Sequence, residues 1–403
     1  MEAALYHQPI TSEAHGSAPV AQTPLATVRA AILTLAALDR DHGAAWDDCV
    51  AHAAEANPFI ERWFVMASAR NLGDPPAIAA VAAFRGEQLV ALMPLARDRR
   101  YYRLPIPVLS NWVHANAFLG MPLMRAGDEM AAWRAMLPLL DAEGPPLLHL
   151  TAIVEGGAAH AALLQAAARP VATVMRHERA LLHSELGPTD YYETTVRKKK
   201  RKELKRLMAR LAELGPVETL RLTNADDLDE WINAFLALEA AGWKGREGSA
   251  IASEAGKRGF FVEALTAAQA AGRLELLRMT VAGRTIAMLV NFLTPPGSAS
   301  FKIAYDEEYA RFSPGVLIQI DNYTVLDRPD IAWMDSCASA NHPMIDSLWA
   351  QRRAMVRLTL PLGGWRGRAA FRAVGMLERI WAAIKSRRQP APARRNDDDD
   401  ADL

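Results

Sequence analysis

Along the chain, apolar positions recur at helical spacing and then at strand spacing, in an order that is met twice. Trp46 to Ala56 reads as a helix and leads, through Asn57-Pro58-Phe59 and more helix, to strand-like runs at Ile78–Phe84 and Gln88–Leu95 around Arg85-Gly86-Glu87. Leu228 to Ala241 does the same through Gly242-Trp243-Lys244, reaching Leu274–Val281 and Thr285–Leu293 around Ala282-Gly283-Arg284. Each turn carries one glycine, which accepts positive φ without a Cβ clash, and each is followed by an aliphatic-small pair, Leu89-Val90 or Ile286-Ala287. The repetition predicts an internal duplication, and with it an α/β (α+β) fold of two tandem units, each a mixed, mostly antiparallel sheet flanked by helices.

After its hairpin the second copy continues distinctively. Pro295-Pro296-Gly297 predicts a turn and Ser298–Asp306 a third strand, with Phe301, Ile303 and Tyr305 on one face and Lys302, Ala304 and Asp306 on the other. A polar loop meets Ser313-Pro314-Gly315, which opens a helix to about Leu326, and a strand follows at Ile331–Asp335. The first copy has no such turn; its hairpin runs into Arg97–Arg103 and then Leu104-Pro105-Ile106-Pro107. Between the copies, Val196 to Glu213 places Arg197, Lys198, Lys199, Lys200, Arg201, Lys202, Lys205 and Arg206 on a helix that ends at Gly215-Pro216.

A chain of 403 residues with 51% hydrophobic content can fill two cores. Lys plus Arg balances Asp plus Glu at 46 each, so attraction to nucleic acid or an anionic membrane must be local. The cysteines, Cys49 and Cys337, make neither a disulfide framework nor a zinc spacing, which implies a reducing compartment and no metal. The N-terminus lacks a basic segment leading into an apolar run, and no stretch approaches the roughly 18 apolar residues of a membrane span. A cytoplasmic protein is expected.

Ser313 suits an N-cap, Pro314 the first helical position, and Gly315 offers no side chain to block a ligand. The amides of Gly315, Val316 and Leu317 would then be free donors at the positive end of the helix dipole, where a pyrophosphate binds well. By themselves these residues fit an ordinary capped helix too.

Three segments carry a family resemblance: Leu238-Glu239-Ala240-Ala241-Gly242-Trp243-Lys244-Gly245, Gly283-Arg284-Thr285-Ile286-Ala287, and above all the run from Phe301 to Gly315. They resemble the GNAT superfamily, and within it the CelD-like acetyltransferases associated with cellulose biosynthesis, which share a two-lobed layout with FemAB peptidyl transferases. The likeness is firmest over 195–360 and fainter over 40–155. It implies acetyl-CoA or another acyl-CoA as co-substrate, with the third strand beside the pantetheine arm and Arg311, Ser313, Gly315, Val316 and Leu317 around the pyrophosphate. One departure stands out: Arg311 lies four residues before Gly315, and no second glycine follows where the GNAT signature has Gly or Ala. The implied organisation is a disordered tail (1–25), a degenerate GNAT-like domain shaping the acceptor cleft (26–190), a basic helical connector (191–215), an acyl-CoA-binding GNAT-like domain (216–362), an amphipathic basic helix (363–388) and a disordered acidic tail (389–403).

Acyl transfer from a thioester to an amine needs a proton acceptor, donors for the developing oxyanion and an acid for the thiolate. Glu239 and Asp306 are the candidate bases, and Tyr305 and Tyr323 the candidate acids unless they pack in the core. Trp243, Lys244 and Tyr305 are candidates for substrate binding. Asp335, Cys337 and His342 invite a nucleophile reading, against the plainer one of a buried thiol and a loop histidine. The basic run at 197–206 fits a solvated helix face, or tRNA binding in a FemAB-like transferase. Val374, Leu377, Trp381 and Ile384 form a stripe that docks on the protein itself or touches a membrane surface. The leading expectation is an acyl-CoA-dependent N-acyltransferase, in the first instance an acetyltransferase, on a small polar or saccharide-linked amine. Its rivals are an aminoacyl-tRNA-dependent peptidyl transferase and a non-catalytic scaffold of the same fold.

Overall fold

A computed structural model describes residues 27–73 and 78–388, with side chains described as far as 377. The two expected tails, and Trp381 and Ile384 of the apolar stripe, fall outside what is described.

The strands are β1 (Val28–Thr34), β2 (Ala79–Arg85), β3 (Gln88–Asp98), β4 (Val108–Asn111), β5 (Leu123–Met124), β6 (Leu147–Val154), β7 (Ala172–Leu182), β8 (Val217–Arg221), β9 (Leu274–Val281), β10 (Arg284–Thr294), β11 (Gly297–Tyr305), β12 (Trp333–Asp335) and β13 (Gln351–Pro361). Both expected hairpins form, β2–β3 and β9–β10, with Gly86 and Gly283 at positive φ in their turns. The strands join one sheet in the order β1-β2-β3-β4-β6-β13-β7-β12-β11-β10-β9-β8, with β5 paired to β3. All pairings are antiparallel except two that occupy equivalent places in the repeats, β4 with β6 and β11 with β12.

The middle of this order departs from two self-contained units. Strand β7, from the first repeat, pairs with β12 of the second, and β13, from the second, pairs with β6 of the first. The two exchanged strands also pair with each other from Gln351 to Thr359. The boundaries at 190 and 216 therefore separate the repeats along the chain but not in space. The main core mixes residues of both, as in the edge-on contact of Phe64 with Phe260 at 5.4 Å and the cluster of Phe292 and Phe301 around Trp63 and Phe59.

The connector helix Lys198–Ala212 buries Leu204, Leu207 and Leu211 and turns its basic face outward, as a 3.6-residue period requires. The last helix, Gly364–Arg388, docks through Ala370, Phe371 and Val374 on Tyr101, Val108 and Leu147 of the first repeat. Among the described residues, no helix is long and apolar enough to cross a membrane.

Candidate active site

Strands β11 and β12 pair over only three residues, Gly297–Ala299 against Trp333–Asp335. Beyond Asp335 the chain turns away, with Cys337 at φ 52° and its amide donating to Asp335 Oδ1 at 2.8 Å. Among the described residues no strand pairs with the rest of β11, from Ser300 to Tyr305, on that side, and the sheet splits. A register shift opposite Val290 and Asn291 makes Phe301 the extra residue of a β-bulge at the deep end of the split. The bulge breaks the expected alternation: Ile303 and Tyr305 pack in one core cluster, whereas Phe301 joins Ala304 in the other.

A buried ion cluster fixes this corner. Arg179 of β7 places Nε 2.8 Å from Asp335 Oδ1, and Arg353 of β13 places Nη1 2.9 Å from Oδ2. Burial alone would raise the Asp335 carboxyl, but the two guanidiniums bring it below the usual range. Each exchanged strand thus contributes one arginine to the point where the split begins.

A cavity of about 170 Å³ occupies the split, lined among others by Ser300, Lys302, Gln319, Cys337, His342 and Met344. Lys302 is the charged residue of its wall that lacks a carboxylate partner among the described residues; its Nζ sits 5.3 Å from the ring centres of Phe118 and Phe301. Burial, with Lys244 nearby, lowers the Lys302 ammonium from 10.5 to about 8. From the first repeat, Phe118 lies under the Lys302 ammonium, and burial with Lys302 nearby lowers the His114 ring to about 4. Cys337 fails as a nucleophile, because burial and the Asp335 carboxylate raise its thiol pKa, opposite to what a reactive thiolate needs.

The helix Pro314–Asp321 starts beside the open edge of β11. A Cβ on Gly315 would lie 3.5–3.6 Å from Tyr305, Ile303 and Met344, so the turn abuts the outer end of the split. Ser313 is left-handed (φ 54°, ψ 53°), and its side chain caps nothing. Its carbonyl instead accepts from Val316 N at 2.9 Å and Leu317 N at 3.1 Å. This corrects the expectation of three free amides: of the three, that of Gly315 remains uncommitted. Just before the turn in the chain, Arg311 and Phe312 line a cavity of about 270 Å³ together with Arg210 and Glu213 of the connector segment, and neither arginine has an ion-pair partner among the described residues.

The other sequence candidates are brought near the split but held by bonds of their own. Glu239 is buried; Oε1 accepts from Lys244 Nζ at 2.6 Å and Oε2 from the Ile251 amide at 2.8 Å. Asp306 caps the next turn through Glu308 N at 3.0 Å and pairs with Arg284 at 2.6 Å. Trp243 is half exposed, its amide donating to Glu307, and with Lys244, Tyr305 and Ile303 it lines a small cleft on the outer side of β11. Tyr323 is buried and donates to the Leu348 carbonyl, which removes it from the thiolate-acid candidates. Sequence reasoning missed Lys302, Ser300 and Gln319. A lone lysine within Phe301-Lys302-Ile303-Ala304 was a legible signal, because a charge inside an apolar strand is rarely neutral in purpose.

The equivalent place in the first repeat is closed. Asn111, at the end of β4, accepts from Thr151 N at 2.9 Å and donates to Thr151 O at 2.9 Å, so its side chain bridges the gap toward β6. Gly120 packs so tightly there that a Cβ would meet the Thr151 carbonyl at 2.1 Å.

One split sheet edge, with a helix start beside it, defines the site. Residues 198–323 match the family model described as acetyltransferase (GNAT) domain. This segment of the chain thus carries the pattern of a GNAT acetyltransferase domain. No curated protein matches it. Among solved structures, the C-terminal domain (DUF2156) of a putative lysylphosphatidylglycerol synthetase from Agrobacterium fabrum shares the fold: TM-score 0.50, 10% identity, covering 82% of this chain and 95% of that one. FemX aligns with TM-score 0.49 at 9% identity (74% and 90% covered), and a tandem GNAT protein from the clavulanic acid biosynthesis pathway with 0.40 at 18% (83% and 99%).

Proposed function

We propose that the chain transfers an acyl group, in the first instance acetyl, from acyl-CoA to an amine of a small polar or saccharide-linked acceptor in the cytoplasm, as a CelD-like enzyme would. The observation that carries this reading is the split between β11 and β12, with a cavity at its deep end and the Gly315 turn at its outer end. From Tyr305 back to Ser300 an extended strand spans about 16 Å, room for a pantetheine arm to lie along the unpaired edge. The phosphates then rest on the Gly315 amide and the guanidiniums of Arg311 and Arg210, a cation-assisted cradle in place of a glycine-rich one.

In this reading Lys302 is the proton acceptor. The acceptor nitrogen attacks the thioester carbonyl carbon, the C–N bond forms and the C–S bond breaks, and CoA leaves as thiolate. The proton lost by nitrogen passes to neutral Lys302, which returns it to the thiolate. With the ammonium lowered to about 8, a useful share is neutral near pH 7.5. Glu239 and Asp306 act at one remove, the first holding Lys244 and the loop at Ile251, the second capping the turn before Arg311. Calorimetric titration of the full chain with acetyl-CoA tests the donor: saturable binding at micromolar to low millimolar concentration is expected, and no binding would sink the reading.

A FemAB-like reading is favoured by one observation, a cavity of about 510 Å³ lined by Arg197, Lys199, Lys200 and Arg352 at the start of the connector helix. It requires tight tRNA binding that falls steeply with salt, together with indifference to CoA.

A further inference from the structure

Ser300 is buried at the deep end of the split, next to the bulge, and its hydroxyl accepts a hydrogen bond from Gln319 Nε2 at 3.1 Å. Gln319 Oε1 accepts from Asn322 Nδ2 at 3.1 Å, and Asn322 Oδ1 accepts from Asn291 Nδ2 at 2.7 Å. Asn291 Nδ2 also donates to Glu275 Oε2 at 2.8 Å. An ionised carboxylate can only accept, so Glu275 fixes which end of the Asn291 amide faces it. Each amide then dictates the orientation of the next, and Gln319 must present its NH₂ to Ser300. The Ser300 oxygen is occupied as acceptor, and no acceptor for its proton stands among the described residues.

We propose that Ser300 donates a hydrogen bond to the carbonyl oxygen of the bound acyl thioester, and to the oxyanion that forms from it, with Gln319, Asn322, Asn291 and Glu275 setting the direction. This deepens the acyl-CoA reading and rests on it. A line of four buried polar side chains is costly to keep in a core, and each is bonded, so the last hydroxyl is held rather than free to rotate. The donor is oriented before substrate arrives, which is the condition under which such a bond favours a developing charge. No proton is transferred to or from Ser300; its bond shortens as the carbonyl becomes an oxyanion and relaxes when the C–S bond breaks.

The test uses the full chain and acetyl-CoA labelled with ¹³C at the thioester carbonyl, read by difference infrared spectroscopy. Bound to the parent protein, the carbonyl stretch should fall below its value in an aprotic solvent. Ser300→Ala should lose most of that fall, Ser300→Thr should keep it, and Gln319→Met should give an intermediate value. CoA itself, which has no thioester carbonyl, should bind all four proteins within about twofold. Binding with the same carbonyl frequency in parent and Ser300→Ala overturns the role of Ser300 and leaves the acyl-CoA reading standing. Absence of acetyl-CoA binding by the parent overturns both.

Discussion

Arg179 reaches from a strand of the first repeat to Asp335, the last residue of β12 in the second, with Nε 2.8 Å from Oδ1 and Nη2 3.0 Å from Oδ2. This pair, completed by Arg353, sits where the sheet opens. Asp335→Asn leaves two buried guanidiniums without a full countercharge and should destabilise the protein by about 3–5 kcal/mol, read from the denaturant midpoint. The pair also has a pH signature. The Asp335 carboxyl is lower in the folded state than its ordinary 3.8, so its contribution is fully present above that value and is lost as pH falls through the folded pKa. Acid titration of the parent should show a loss of stability below about pH 4 that the Asn variant lacks.

Lys302 has a pH signature of its own, in the alkaline range. Its ammonium is lowered from 10.5 to about 8, so between those values the unfolded chain holds more protons and stability rises with pH. Below pH 8 the buried charge is a burden, and Lys302→Met should stabilise the protein by roughly 2–3 kcal/mol at pH 7 while abolishing turnover. With an acceptor in hand, the parent kcat should rise with pH and level off above about 8. A flat profile across pH 6–9 would remove Lys302 as proton acceptor.

The phosphate cradle is tested by charge. Arg210→Ala and Arg311→Ala line one cavity and should each weaken CoA binding about tenfold at low salt, by calorimetry, with a smaller effect at high salt. Gly315→Leu adds bulk against Tyr305, Ile303 and Met344 and should weaken CoA at least a hundredfold while the protein stays folded. Undiminished affinity in a folded Gly315→Leu protein would remove this turn as the donor site.

A fragment starting at Tyr191 retains the turn, the split and both β12 and β13, yet lacks β7, which lies between those two strands. By circular dichroism and denaturant titration it should show no cooperative transition. A cooperatively folded fragment would mean that β12 and β13 can close on each other without β7.

Much of this was legible because local chemistry dictated it. Gly283 and the alternation around it place β9 at Leu274–Val281, as read from sequence, and the third strand is displaced by one residue. The helix start at Pro314 was legible too, from Pro314 and Gly315. What escaped depends on events that a linear pattern does not carry. A bulge at Phe301 reassigns faces without changing composition. The Ser313 carbonyl accepts from Leu317, the first ordinary helical bond, and also from Val316, an amide that a regular cap would have left open. Strands β7 and β13 are interrupted by Arg176, Arg179, Arg353 and Arg357, and their pairing joins residues far apart in the chain, so neither alternation nor proximity announces them.

The crossing of β7 and β13 has the geometry of two identical subunits that trade terminal strands, here sealed into one polypeptide by the connector. Such an arrangement binds the fates of its halves. The first repeat, its own gap bridged by Asn111, can be neither trimmed away nor allowed to drift freely. Its β7 completes the sheet beside β12, and its Arg179 holds the corner where that sheet opens. Neither half can therefore complete its sheet without a strand of the other.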